Sequence, residues 1–189
     1  MSDDDPTATH LWPAAIEHDG GADMDDRLRA FAHRQRQDGY RVSGLVMTRR
    51  AGGAGCQAEM VLTDLDTGSA YLVSQPMGSE STSCRADPQG FARASQVLRD
   101  AGLRRPDLVV CNRYGVLEAE NGGFVAELLA LMMQDIPLLT VVAPRHREAW
   151  QRFVGDDGTW LRAEPACWVR WFDDVRRARE RDASQATPI

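Results

Sequence analysis

The chain has 189 residues, 43% hydrophobic and 26% charged, with a net charge of -6. That length carries a full hydrophobic core in one domain, and the acidic balance gives no general basic field for nucleic acid or an anionic membrane surface. All 22 basic side chains are arginine, which excludes a Schiff-base lysine, a lysine general base and a phosphate-binding lysine.

Residues 1–9 are acidic and polar and are expected to form a disordered tail, ahead of a single α/β domain over 10–181 and a loose tail over 182–189. The run Leu11 to Ile16 predicts a first strand, with Pro13 suited to its start or edge. The turn-rich segment Glu17 to Asp23 leads to a helix from about Met24 to Gln37, whose inner face carries Leu28, Phe31 and Ala32 and whose end is marked by Gly39. Val42 to Met47 predicts a second strand. Arg49 to Gly55 is glycine-rich but leads into the strand-like Ala58 to Leu65, whereas a phosphate loop must open a helix, so it reads as a hairpin tip. Asp66 to Ser69 turns the chain, and Ala70 to Gln75 returns as a strand, giving an inserted β-hairpin.

The polar segment Pro76 to Pro88 holds Ser79, Ser81, Ser83, Cys84 and Arg85 ahead of a helix to about Ala101. Hydroxyls, an arginine and a helix N-terminus together suit an oxyanion, while local sequence alone reads as a polar loop closed by an Asp87 N-cap with Pro88 at the first helical position. Leu108 to Val110 and Leu138 to Val142 are short apolar runs, and Phe124, Leu128, Leu131 and Met132 recur between them at helical spacing. Strand, helix and strand without alternation indicate a parallel sheet covered on both faces. Ligands of such sheets sit beyond the carboxyl ends of the strands, where Asn112, Arg113, Tyr114, Gly115, Glu118 and Glu120 fall. Pro144 leads a helix through Trp150 and Phe153, with Arg145 and His146 just past a strand end. Thr159 to Arg162 predicts an edge strand, and Cys167 to Arg181 an amphipathic helix with Trp168, Trp171, Phe172 and Val175 inward. The four cysteines, Cys56, Cys84, Cys111 and Cys167, have no paired spacing, which argues against a disulfide framework or a zinc site. No apolar run approaches a membrane span and the opening MSDDDP is unlike a signal peptide, so a cytoplasmic protein without membrane insertion is expected.

Three motifs carry a resemblance: Gly78…Ser83-Cys84-Arg85-Ala86-Asp87-Pro88, then Asn112-Arg113-Tyr114-Gly115-Val116-Leu117-Glu118-Ala119-Glu120, then Ile136 to Val142 with Trp150 and Phe153. Over about residues 14–172 the chain resembles a bacterial domain-of-unknown-function family labelled nucleoside-triphosphatase-like or associated with molybdenum ABC transport. That family is in turn similar to the P-loop nucleoside triphosphatases of thermophiles. The resemblance implies a three-layer α/β sandwich with a mainly parallel sheet. The departures bear on activity. Asp19-Gly20-Gly21-Ala22-Asp23-Met24-Asp25-Asp26 stands where that phosphatase family has its lysine-bearing P-loop, and Asn112 and Arg113 stand where it has its Walker B acids. Asparagine is a weak Mg²⁺ ligand, and arginine cannot act as a general base.

The sequence therefore leads to the expectation of a non-catalytic binder of a small anion, molybdate-like or phosphate-like, or of a nucleotide linked to molybdenum transport, at Ser79, Ser81, Ser83, Cys84, Arg85, Asn112, Arg113, Tyr114, Gly115, Glu118 and Glu120. It assigns no catalytic residue, no metal ligands and no cofactor. Two alternatives stay open: a metal-dependent hydrolase or phosphotransferase using Glu118 and Glu120, and a protein-interaction scaffold that buries a partner or, as a homo-oligomer, a second copy.

Overall fold

The computed structural model describes residues 12–51, 58–76 and 84–185. Strand β1 (Ala14–Glu17) leads into helix α1 (Ala22–Gln37), then β2 (Val42–Ala51), β3 (Ala58–Asp64) and β4 (Ala70–Leu72). Two short strands, β5 (Ser74–Pro76) and β6 (Cys84–Ala86), precede α2 (Pro88–Arg104), β7 (Leu108–Tyr114), α3 (Val116–Ala119) and α4 (Val125–Met133). Strand β8 (Leu138–Val142), α5 (Arg147–Val154), β9 (Thr159–Leu161) and α6 (Pro165–Gln185) complete the order.

Among the described residues the main sheet has seven strands in the order β4-β3-β2-β7-β8-β1-β9. From β2 to β9 every pairing is parallel, while β3 and β4 add antiparallel strands on the β2 edge. This is a three-layer α/β fold. One side of the sheet is covered by α1 and α6, where Met24, Leu28, Phe31, Trp168 and Phe172 pack on Ile16 and Val110. The other is covered by α2, α4 and α5, where Leu98, Leu128 and Trp150 pack on Val109, Cys111 and Leu138. Because both faces are covered, β7 and β8 can be apolar without alternation; all five residues of β8 are buried. No described helix is long and apolar enough to cross a membrane.

Helix termini follow local chemistry. Asp23 and Asp25 lie in the first turn of α1 and Arg34 and Arg36 in its last, each matched to the helix dipole. The Asp87 side chain caps α2 by accepting from the Gln89 amide at 3.1 Å, with Pro88 at the first helical position.

Three expectations are corrected. Strand β7 runs to Tyr114 instead of stopping at Val110, because Tyr114 regains pairing with Val142 after an irregularity between Cys111 and Tyr114. Asn112 and Arg113 therefore belong to a strand and not to a loop. Helix α1 starts at Ala22, two residues before Met24. The segment Ala70 to Gln75 is not one strand: after Leu72 the chain leaves the main sheet, and β5 pairs with β6 in a separate two-stranded sheet. The Ser74 hydroxyl accepts the Met60 amide at 2.9 Å and ties β5 to β3. Of the glycine-rich stretch Arg49 to Gly55, residues 52–57 lie outside the described residues, as do Ser79, Ser81 and Ser83.

Candidate functional site

The parallel strands β1, β8 and β7 end side by side next to β2, which runs on to Ala51 as a hairpin arm paired with β3, and the polar groups of interest gather there. After β1 the chain stays in register for one more residue, with the His18 amide bonded to the Val142 carbonyl at 3.0 Å. The imidazole Nδ1 of His18 then accepts the Gly20 amide at 2.9 Å, bending the chain into the start of α1. Gly20 has φ +87°, and a Cβ at that position would lie 2.4 Å from Nη2 of Arg113. The Arg113 guanidinium thus lies directly against the backbone of the β1–α1 turn, and only glycine allows that approach.

Beneath it sits Asp25, in the first turn of α1 and 2% exposed. Its Oδ1 accepts from Arg113 Nη2 at 3.0 Å and from Asn112 Nδ2 at 3.4 Å, and its Oδ2 accepts from Arg49 Nε at 3.3 Å. Asn112, buried in β7, also accepts the Met47 amide through Oδ1 at 3.1 Å, so it bridges β2 to the carboxylate. Burying a carboxylate is costly unless it is paired and hydrogen-bonded, and Asp25 meets both conditions. Among the described residues two guanidiniums share this one carboxylate, so these three side chains together carry one net positive charge. Arg113 keeps a buried Nε with no partner among the described residues.

The other expected site residues lie apart from this cluster. Tyr114 is buried on the α5 side, its ring 5.2 Å from Trp150 and 5.6 Å from Phe153, with its hydroxyl donating to the Ala149 carbonyl at 3.4 Å. Gly115 caps α3, and its amide donates to Glu118 Oε2 at 2.8 Å. Glu118 is buried and accepts the Phe124 amide through Oε1 at 3.1 Å, so both its oxygens serve the backbone of the β7–α4 connection. Burial raises its pKa, and the Gly115 and Phe124 amides oppose that shift. A Cβ on Gly123 would fall 2.0 Å from Glu118 Oε1, so that turn requires glycine as well. Glu120 is exposed at the end of α3. The backbone of Cys84 and Arg85 lies in β6, with Arg85 opposite Gln75.

Past β8, Arg145 lies 3.8 Å from exposed Asp19, and Arg147 pairs with Glu17. Burial and the adjacent Arg145 charge both lower the pKa of His146. Sequence reasoning named Asn112 and Arg113 but missed Asp25 and Arg49. A signal for Asp25 was available: it shares the inner face of α1 with Leu28 and Ala32, three and seven residues on, and an inward carboxylate needs a partner.

Comparison with known proteins adds three findings. A family model described as "Protein of unknown function (DUF2478)" matches residues 13–171. A Bradyrhizobium diazoefficiens protein named "Molybdenum import ATP-binding protein ModC 2" is 35% identical over 171 residues, covering 88% of this chain. The chain spans only 19% of that relative's length. The solution structure of a human cancer-related nucleoside triphosphatase superposes with a TM-score of 0.59 at 14% identity, covering 93% of this chain and 98% of the other. The likeness is one of fold, and it agrees with the nucleoside-triphosphatase-like architecture expected from the sequence.

Proposed function

The chain belongs to the DUF2478 family, and we propose that it is a non-hydrolysing domain that binds a small tetrahedral oxyanion, of the molybdate and tungstate class, at the ends of β1, β7 and β2. The observation that carries this reading is the convergence of Arg49 and Arg113 on the single buried carboxylate of Asp25, which leaves excess positive charge where parallel sheets bind ligands. Arginine's planar donor fork suits an oxyanion, and Asn112 holds the cluster in register. The link to molybdenum rests on the name of the Bradyrhizobium relative. In this reading Ser79, Ser81, Ser83, Cys84 and Arg85 are further ligands of the anion, and the protein works in the cytoplasm.

The reading without hydrolysis is supported by two features of the residues. The chain has no lysine, and the positions that resemble Walker B acids hold Asn112 and Arg113. The alternative of a metal-dependent enzyme draws no support from Glu118, whose oxygens are bonded to backbone amides.

The test is a thermal-shift and calorimetric titration with molybdate, tungstate, sulfate, phosphate, ATP and GTP, the nucleotides with and without Mg²⁺. A ligand of the native state raises the melting temperature by mass action. Tetrahedral oxyanions are expected to bind. Arg49→Gln is expected to weaken them about tenfold or more, the worth of one charge-assisted hydrogen bond. Asp25→Asn is expected to tighten binding, because it removes the competing anion. A shift with nucleotide and Mg²⁺ alone, or no shift with any oxyanion, overturns the proposal.

A further inference from the structure

Apart from Glu127, helix α4, VAELLALMM, is apolar on every side, yet it lies on the outside of the molecule. Leu128 and Leu131 face the core, while Ala126, Leu129, Ala130 and Met133 are exposed, Met133 at 81%. Its one charged residue, Glu127, is mostly buried and paired with Arg99 of α2. A helix without a polar face is normally covered on all sides. Beside its N-terminal half runs a groove of about 460 Å³, lined by Tyr114, Ala119, Val125, Leu129 and Phe153 with Arg152 at its rim.

We propose that two copies of this chain associate through α4, antiparallel, about a two-fold axis at Leu129. The knob and the groove lie on the same helix at matching offsets. Met133 is one turn beyond Leu129 and Val125 one turn before it, each about 6 Å along the axis. A two-fold at Leu129 therefore seats the Met133 of each copy in the groove beside the Val125 of the other, and this self-complementarity selects a second copy as the occupant. The same operation brings exposed Asp135, which accepts the Trp12 indole N–H in its own chain, toward the other copy's Arg152, 73% exposed and 3.9 Å from Glu148 of its own helix, so opposite charges meet at this part of the rim. One nine-residue helix and its flanking groove offer less than the roughly 800 Å² per partner of a standard stable interface, so the dimer is reversible and concentration-dependent.

Sedimentation equilibrium over a concentration series tests this. The full chain is expected to pass from 20.9 kDa toward twice that mass as concentration rises. Leu129→Arg places like charges against each other at the axis, and Met133→Glu puts a charge into the apolar groove. Each is expected to weaken association at least tenfold while leaving the melting temperature of the dilute monomer unchanged, since both side chains are exposed. A mass fixed at 20.9 kDa up to several hundred micromolar, or a dimer that survives both substitutions, overturns the proposal.

Discussion

At 2% exposure the carboxylate of Asp25 depends on donors from β2 and β7, Arg49, Asn112 and Arg113, which lie far from it in sequence. The partners are not equivalent. Arg49 has a side-chain exposure of 34% and shares its bond with solvent, while Arg113 is 25% exposed and bonds at the shorter distance. Replacing Arg113 by Met removes the stronger partner and leaves a buried charge short of compensation. A loss of about 3–5 kcal/mol of stability is expected by urea denaturation. Arg49→Met is expected to cost only about 1 kcal/mol, as partly exposed pairs do. Arg113 and Asn112 were legible as polar residues following an apolar run. Asp25 was harder to single out, because Asp19, Asp23 and Asp26 stand in the same run and only its place on the inner face of α1 distinguishes it. The folded chain uses one of those carboxylates to anchor cations.

Elements were legible where a long period or a strong cap marked them. Helix α2 starts where Asp87 and Pro88 place it, and α6 buries Trp168, Trp171, Phe172 and Val175 as their spacing indicated. Strands of three residues, such as β5 and β6, carry too little pattern to read, and β5 is tied to β3 by the Ser74 bond, which no local spacing announces. The β7–α4 connection makes a further prediction. Glu118 clamps it through two backbone amides at the cost of burying a carboxylate, and its pKa is raised in the folded state. The folded protein then holds this proton more tightly than the unfolded chain. Stability from this group is complete below the ordinary value of 4.5 and is lost as pH rises from there through the folded pKa. Glu118→Gln abolishes that ionisation, so its stability–pH curve is expected to be flatter above pH 4.5 than the parent's in pH-resolved denaturation. Equal slopes would show that another group titrates there.

On the scale of the molecule, the apolar runs announced a covered parallel sheet, but they did not disclose its strand order. Order depends on which runs become neighbours, and strands of similar composition do not encode that locally. In the folded chain β8 lies between β1 and β7, with Leu139 paired to both Ala14 and Val110. This has a kinetic consequence. In the finished sheet the β1–α1 turn meets the end of β7 across β8, and such non-local contacts close late. The bonds from Arg113 to Asp25 should therefore be absent from the folding transition state. In stopped-flow experiments Arg113→Met is expected to accelerate unfolding and leave the refolding rate nearly unchanged. The anion cluster then acts as a latch on a finished sheet: it sets how long the native state lasts, not how fast it is reached.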